Sequence, residues 1–481
     1  MKSKSVKKLL ATALTTVMAA SVVGCGDSTT VTTPSTEATP SSAVAESTVE
    51  STVEDEVGQY TVLKDADGNV YDLGGMEIQI RDWWTGDPVA PSNDYEEARD
   101  AYREWMQETY NFKISTVGGL NWPGTTDFVE YSQTGGDDMN YVYTVWNGKE
   151  TLAAGKNGLC YDLSTLDCLD FSEAKWGSKV HEMYTVGDKI FGMRGAEPEP
   201  RNGVYFNKRL LTEAGVNPDD LYTWQEDGSW TWEKFEEVLK QVQADTDNDG
   251  VIDRYAMCDQ DTLFYDAALA SNGAEYVGLE NGKYVLKADS DEALEAMNWA
   301  VYMRKNYEMK YPEDAAWDYF KTAFPNGEAA FCTESAYNMN PGNAFNEMAD
   351  DFGFVCFPKG PNMTDYTNVY NDNVFVIPAC YDADRAWKIA FAYNLYTDPV
   401  PGYEDYSEMA ASYLKGARDT ETVDLTIARL ISNGGITYHG FIEGLSTGDD
   451  LWWKISEDVT PAKQLETIKP TWQSYIDEAN K

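Results

Sequence analysis

Histidine is nearly absent from this chain, which holds His181 and His439 and no other in 481 residues. A Cys/His zinc centre therefore has little to build on. His181-Glu182 lacks the second His of H-E-x-x-H, and no G-x-x-x-x-G-K-[ST] phosphate loop occurs. Basic residues are scarce too: Lys+Arg 37 against Asp+Glu 81 gives a formal net charge of -44. Such a surface repels phosphate backbones and anionic headgroups, so nucleic acid is excluded as a partner, and the charge reads as a solvated, solubilising surface. Cysteine is sparse and scattered at Cys25, Cys160, Cys168, Cys258, Cys332, Cys356 and Cys380, with no C-x-x-C pair. That spacing dictates no disulfide, and buried free thiols are expected. Long apolar runs are also missing. The longest candidate, Leu9 to Val23, is too short and too interrupted for a membrane span.

Lys2, Lys4, Lys7 and Lys8 precede that apolar run, the pattern of an export signal over residues 1–24. Val22-Val23-Gly24-Cys25 resembles a bacterial lipobox, which implies a diacylated Cys25 as mature N-terminus and a lipid anchor rather than a span. Residues 25–58 are Ser, Thr, Val, Glu and Pro with almost no large apolar side chains, the composition of a disordered tether. By random-coil scaling such a tether spans about 30 Å. The rest of the chain exceeds the size one core usually supports, which predicts an α/β body in two lobes.

Within that body Met76, Ile78 and Ile80 alternate as a strand that delivers Asp82, Trp83 and Trp84 to its carboxyl end. A helix capped by Asn93 or Asp94 follows, with Tyr95, Ala98, Tyr102, Trp105 and Met106 on one face, and then a strand over Phe112 to Val117. Another strand, Tyr141 to Val145, ends in Trp146-Asn147. In open α/β sheets ligands sit outside the carboxyl ends of strands, although Trp is also heavily buried on average, so each indole reads as core or as contact. Gly444-Leu445-Ser446-Thr447-Gly448 satisfies G-x-S-x-G, yet no His follows it and Asp449-Asp450 suggest an N-cap or a surface turn.

The run from Gly187 to Gly215 carries the strongest pattern. Taken alone it reads as an ordinary strand, loop and helix. Gly187, Lys189, Ile190, Phe191 and Gly192, then Tyr205, Phe206, Asn207 and Lys208, then Leu211, Ala214 and Gly215 resemble the lobe-crossing segment of extracellular solute-binding proteins of the maltodextrin-binding type. Met193-Arg194 departs from that family's usual apolar residue and Pro. Phe324 to Phe331 resembles the family's F-x-x-G-x-A-A-M element, Asp372 to Pro378 its return strand, and the end of the chain its closing helix.

Asp245, Asp247, Asp249, Val251 and Asp253 match the ligand positions of an EF-hand loop with Gly250 at position six. Position twelve is Ala256, so an acidic turn and a calcium site both stay open. The resemblance implies a two-lobed, type II periplasmic-binding-protein-like fold with a hinge and an interlobe cleft. Its first lobe would span 59–195 and 372–436, its second 196–371 and 437–481. It further implies a monomer without required cofactor, lipid-anchored outside a Gram-positive membrane, that captures a carbohydrate and passes it to an ABC permease. Alternatives are a hydrolase using paired carboxylates and a peptide binder of the same fold. Sugars need aromatic platforms beside amides and carboxylates, which nominates Asp82, Trp83, Trp84, Trp146 and Asn147 in the first lobe. Trp317, Glu334, Tyr438 and Trp452 follow in the second, with Arg194, Arg201 and Asp372 at the crossings.

Overall fold

The computed structural model describes residues 55–57, 60–146, 148–176, 180–370 and 373–481. Cys25 and the expected tether up to residue 54, like Asn147 and Asp372, lie outside them. Among the described residues no helix is long and apolar enough to cross a membrane.

Contact density divides the chain into two units. The smaller comprises residues up to Met76, Val89–Lys113 and Pro399–Tyr406. Its helix Asp94–Thr109 is capped by Asn93, whose side chain accepts from the Glu96 amide. Tyr95, Tyr102 and Met106 recur on one face at the helical period and are buried. Tyr95 stacks on Tyr406 with ring centroids 3.9 Å apart, and Tyr60 lies against both Tyr102 and Trp105. Aromatic packing thus ties a segment near residue 400 to the start of the described chain.

Two four-stranded sheets form among the described residues. Their strands in chain order are β1 (Met76–Arg81), β2 (Phe112–Val117), β3 (Asn140–Val145), β4 (Gly203–Asn207), β5 (Tyr255–Met257), β6 (Ala329–Glu334), β7 (Phe352–Cys356) and β8 (Val374–Val376). The first sheet has the order β8-β3-β1-β2, with β1 parallel and β8 antiparallel to β3. The second runs β7-β4-β6-β5, with β4 antiparallel to both neighbours and β6 parallel to β5. β4, β6 and β7 are buried at every position; β4 and β6 are the central strands and are apolar up to the polar residues that end them.

Each sheet has its own core. Phe128, Tyr143, Val145, Leu152, Phe191, Val374 and Val376 pack together on the first. The second core is larger and includes Val204, Tyr205, Phe206, Phe235, Phe331 and Trp472. Local signals start the helices: Thr231 caps Trp232–Val242, which packs in the second core, and Asp382 caps Ala383–Tyr396, which lies against β3 of the first sheet. The closing helix is Pro461–Ala479, with Pro461 in its first turn, where the missing amide costs nothing. Ser446 of the G-x-S-x-G run caps the short helix Thr447–Asp450, accepting from the Asp449 amide, which makes it a helix start rather than a nucleophile elbow.

Two stretches pack differently from the expected lobes. Ala410, Tyr413, Val423, Ile427 and Leu430 belong to the second core, although 372–436 was expected in the first lobe. Phe441 packs in the first core, although 437–481 was expected in the second. Both follow from apolar side chains satisfying the nearest core, which a linear boundary does not track. Backbone pairing draws the expected crossings together. Met193 and Phe375 exchange amide hydrogen bonds, and Asn368–Tyr370 pairs in parallel with Gly434–Ile436.

Candidate functional site

Beyond β1 the chain turns sharply at Asp82. That residue is buried, and its carboxylate accepts from the Trp84 amide (3.1 Å), the Thr85 amide (2.8 Å) and the Thr85 hydroxyl (2.6 Å). Asp82 therefore builds the turn instead of presenting an oxygen to a ligand, a correction to its expected role. The turn sends the two indoles to different places. Trp83 leans on the first core, while Trp84 is 52% exposed, and their rings meet edge to face at 4.9 Å.

The loop after β2 packs beside this turn. Leu120 donates its amide to the Asp82 carbonyl (2.8 Å), and a Cβ at Gly118 would stand 2.1 Å from the Thr85 carbonyl oxygen. Trp122 stands out from that loop, 66% exposed. At its far end Gly124 has φ +79° and no room for a side chain, because a Cβ would meet the Thr144 carbonyl oxygen at 2.3 Å. The Trp146 amide donates to the Pro123 carbonyl (3.0 Å), which joins the end of β3 to the same loop. Trp84, Trp122 and Trp146 are thus carried by connected segments at one end of the first sheet.

Trp146 leads to the second sheet. The Arg201 guanidinium lies 4.7 Å from the centre of its ring, a stacking cation, and is held by Glu199 at 2.6 Å. Arg201 immediately precedes β4, and the register places Gly203 opposite Glu334, the last residue of β6. Antiparallel pairing so brings Arg201 and Glu334 to one end of the second sheet. Glu334 is 6% exposed; Oε1 accepts from the Asn338 amide nitrogen (2.9 Å), and Oε2 has no hydrogen-bond partner. Burial pushes its carboxyl up to about 7, with the Ser335 amide, Lys321 and Arg201 pulling the other way. Lys321 also lies 5.7 Å from the ring centre of Trp317, which is 74% exposed.

Trp146, Arg201, Glu334 and Trp317 are therefore linked, directly or through Lys321. Trp452 is not part of this set. It is 3% exposed, stacks on Tyr265 at 3.7 Å and donates its indole N–H to the Tyr276 hydroxyl (2.8 Å), so it is a core residue. Tyr438 is half-buried against Tyr284 and the second core. Arg194 donates to the Asn373 carbonyl (3.4 Å) beside the Met193–Phe375 bridge, a contact within the crossing. Trp122, Lys321 and Asn338 escaped the sequence reading. Trp122-Pro123-Gly124 is a turn signal at the end of a strand that could have flagged the first.

In the acidic loop, carboxylate oxygens of Asp245, Asp247 and Asp253 lie within 4.8 Å of one another, an all-oxygen donor set of the kind that suits a hard cation. Those oxygens also serve the loop itself. Asp253 accepts from the Thr246 amide and hydroxyl, which hold its carboxyl below the usual range, and Asp245 accepts from the Gly250 amide. Val251 is exposed, and the Asp249 carboxylate accepts from its amide. Ala256, at position twelve, is buried in β5 and offers no carboxylate.

A family profile described as bacterial extracellular solute-binding protein matches residues 129–390. A search of the curated proteins finds no match. Among solved structures, the GacH receptor of Streptomyces glaucescens, known unliganded and with acarbose, aligns with a TM-score of 0.53 at 12% identity, over 83% of this chain and 99% of that one. A cyclo/maltodextrin-binding protein complexed with maltotetraose aligns at 0.52 and 15%, over 83% and 95%. UgpB from Mycobacterium tuberculosis, in complex with glycerophosphocholine, aligns at 0.54 and 15%, over 79% and 95%. At these identities the likeness is one of fold.

Proposed function

The chain belongs to the bacterial extracellular solute-binding proteins, and from that premise we propose that it captures a carbohydrate, an oligosaccharide, and delivers it to an ABC permease. The observation that carries this reading is the run of aromatic faces from Trp84 and Trp122 to Trp146, continued by the Arg201 plane and the buried Glu334 carboxyl. Sugar rings pair apolar C–H faces with hydroxyl edges, and this set offers flat surfaces for the first and a carboxyl for the second. The saccharide ligands of the GacH receptor and the maltodextrin-binding protein support the same class. A phosphate ester such as the UgpB ligand fits less well, because Arg201 is already paired with Glu199 and Lys321 lies 3.7 Å from Asp318.

Ligand would favour a closed state by its differential affinity for it, hinged where Met193 meets Phe375 and where 368–370 meets 434–436. Residues 408–432 move with the second lobe in this reading, in keeping with their packing. A melting experiment on the full chain tests the ligand class. Maltotetraose or mannobiose at 100 times its dissociation constant is expected to stabilise the native state by about 2.7 kcal/mol, seen as a raised Tm. A rise with glycerophosphocholine or a tripeptide alone would overturn the carbohydrate reading, and shortened saccharide products after incubation would replace binding by hydrolysis.

The lipid anchor belongs to the same proposal and rests on the Val22-Val23-Gly24-Cys25 run. Cys25→Ala is expected to move the protein from the membrane fraction to the soluble fraction with an unchanged Tm, since acyl chains would hold it there. Retention of the variant after a carbonate wash would rule the anchor out.

A further inference from the structure

We propose that Glu334 is a proton-coupled anchor for the captured sugar: its partnerless Oε2 accepts a ligand hydroxyl, and making that bond expels a proton to solvent. The inference rests on the carbohydrate reading above and adds a regulation to it. Its starting point is geometric. Glu334 closes β6 at the end where Arg201 enters β4 and is more than nine-tenths buried; its Oε1 accepts from the Asn338 side-chain amide, the Ser335 backbone amide lies beside the carboxyl, and Oε2 has no hydrogen-bond partner. An ionised oxygen in that place, out of water and without a donor, is costly. The carboxyl accordingly holds a proton up to about 7 before ligand arrives. A sugar hydroxyl supplies the missing donor, and a hydroxyl bonded to a carboxylate is a stronger, charge-assisted pair than one bonded to a neutral acid. The balance is simple: the protonated carboxyl and the ligand hydroxyl become a carboxylate accepting from that hydroxyl, and one proton passes to the buffer.

Two buried carboxyls at this end of β6 change between pH 6 and pH 8: Glu334, and Asp259, which accepts from the Thr333 amide (2.7 Å) and is likewise pushed by burial up to about 7. Arg201 and Lys321 are the cations whose fields reach Glu334, and Glu199 and Asp318 stand beside those cations. Tyr205 on β4 gives its hydroxyl hydrogen bond to the carbonyls of Ser335 and Ala336, and Cys332 precedes Glu334 on β6. Burial lifts both of those groups well above their ordinary values, so they stay neutral throughout this range. The sign follows. Ligand binds the ionised form, so affinity is low where Glu334 is protonated and rises as the pH passes its ligand-free value near 7.

Two measurements on the full chain test this, with Glu334→Gln as the variant that keeps size and loses ionisation. Infrared spectra of ligand-free wild type minus E334Q should show a protonated carboxyl band at pH 6 that is lost by pH 8, the contribution of Asp259 cancelling between the two proteins. An identical wild-type and variant spectrum at pH 6 overturns the proposal without any ligand. Calorimetry with maltotetraose, mannobiose and β-1,6-galactobiose should show affinity about tenfold higher at pH 8 than at pH 6 for whichever binds, with proton release in paired buffers at pH 6 that fades by pH 8. E334Q should bind with the same affinity at both values, and if it does not fold, the wild-type proton count decides alone. Binding by wild type that is level between pH 6 and pH 8 overturns the proton coupling and leaves the carbohydrate reading standing. Failure of all three sugars to bind at either pH overturns that reading and this inference with it.

Discussion

Trp452→Ala is expected to destabilise the fold by about 3–5 kcal/mol while leaving the ligand affinity of the folded molecules unchanged. The indole is almost fully buried, stacks flat on Tyr265 and satisfies its N–H on the Tyr276 hydroxyl. Truncation would remove that stack, open a cavity and take the indole donor away from the buried Tyr276 hydroxyl, three costs that fall on folding. Urea unfolding and calorimetry on the same preparation check it. Lost affinity with an unmoved unfolding midpoint would return Trp452 to the site.

The opposite pattern is expected for Trp84→Ala and Trp122→Ala. Both indoles are more than half exposed, so truncating them should shift the melt little. An exposed aromatic that becomes covered by a sugar ring contributes as an interface hot spot does, on the order of 2 kcal/mol, or about thirtyfold in Kd. The two losses should add if each ring meets a separate sugar unit. Saccharide titrations of both single variants and of the double variant give the answer. Wild-type affinity in the double variant would move the site away from this end of the first sheet.

What could be read in advance was local. The Phe112–Val117 strand and the Asn93 cap depend on neighbours within a few residues, and the chain states them openly; the return strand at Val374–Val376 was legible only through the family resemblance. The partition of the tryptophans was hidden. Trp83-Trp84 and Trp452-Trp453 are adjacent pairs of identical composition, and in each the chain turns one ring inward and the other to solvent, with Trp453 60% exposed. Which ring goes inward depends on partners such as Tyr265 and Tyr276, nearly two hundred residues away for the second pair. Asp82 misled for a related reason. A carboxylate two and three residues before free amides is claimed by its own turn, and a hydroxyl at Thr85 completes the claim. Glu334 was legible as a residue type at a strand end. Its isolation was not, since that needs the fold of β4 against β6.

The loop that carries Trp122 is pinned at Gly118 against the Thr85 carbonyl, at Leu120 to Asp82, and at Gly124 and Pro123 to the end of β3. Its conformational entropy is thus surrendered when the chain folds, before any ligand is met. An exposed indole on a slack loop would have to be ordered at each encounter, a penalty of roughly 0.5–1.5 kcal/mol for the side chain alone and more for the backbone. Here the backbone that bears the ring is ordered before the encounter. The thermodynamic signature of capture at this end of the sheet should therefore carry little ordering entropy, with the contact enthalpy of ring on ring passing almost undiminished into affinity.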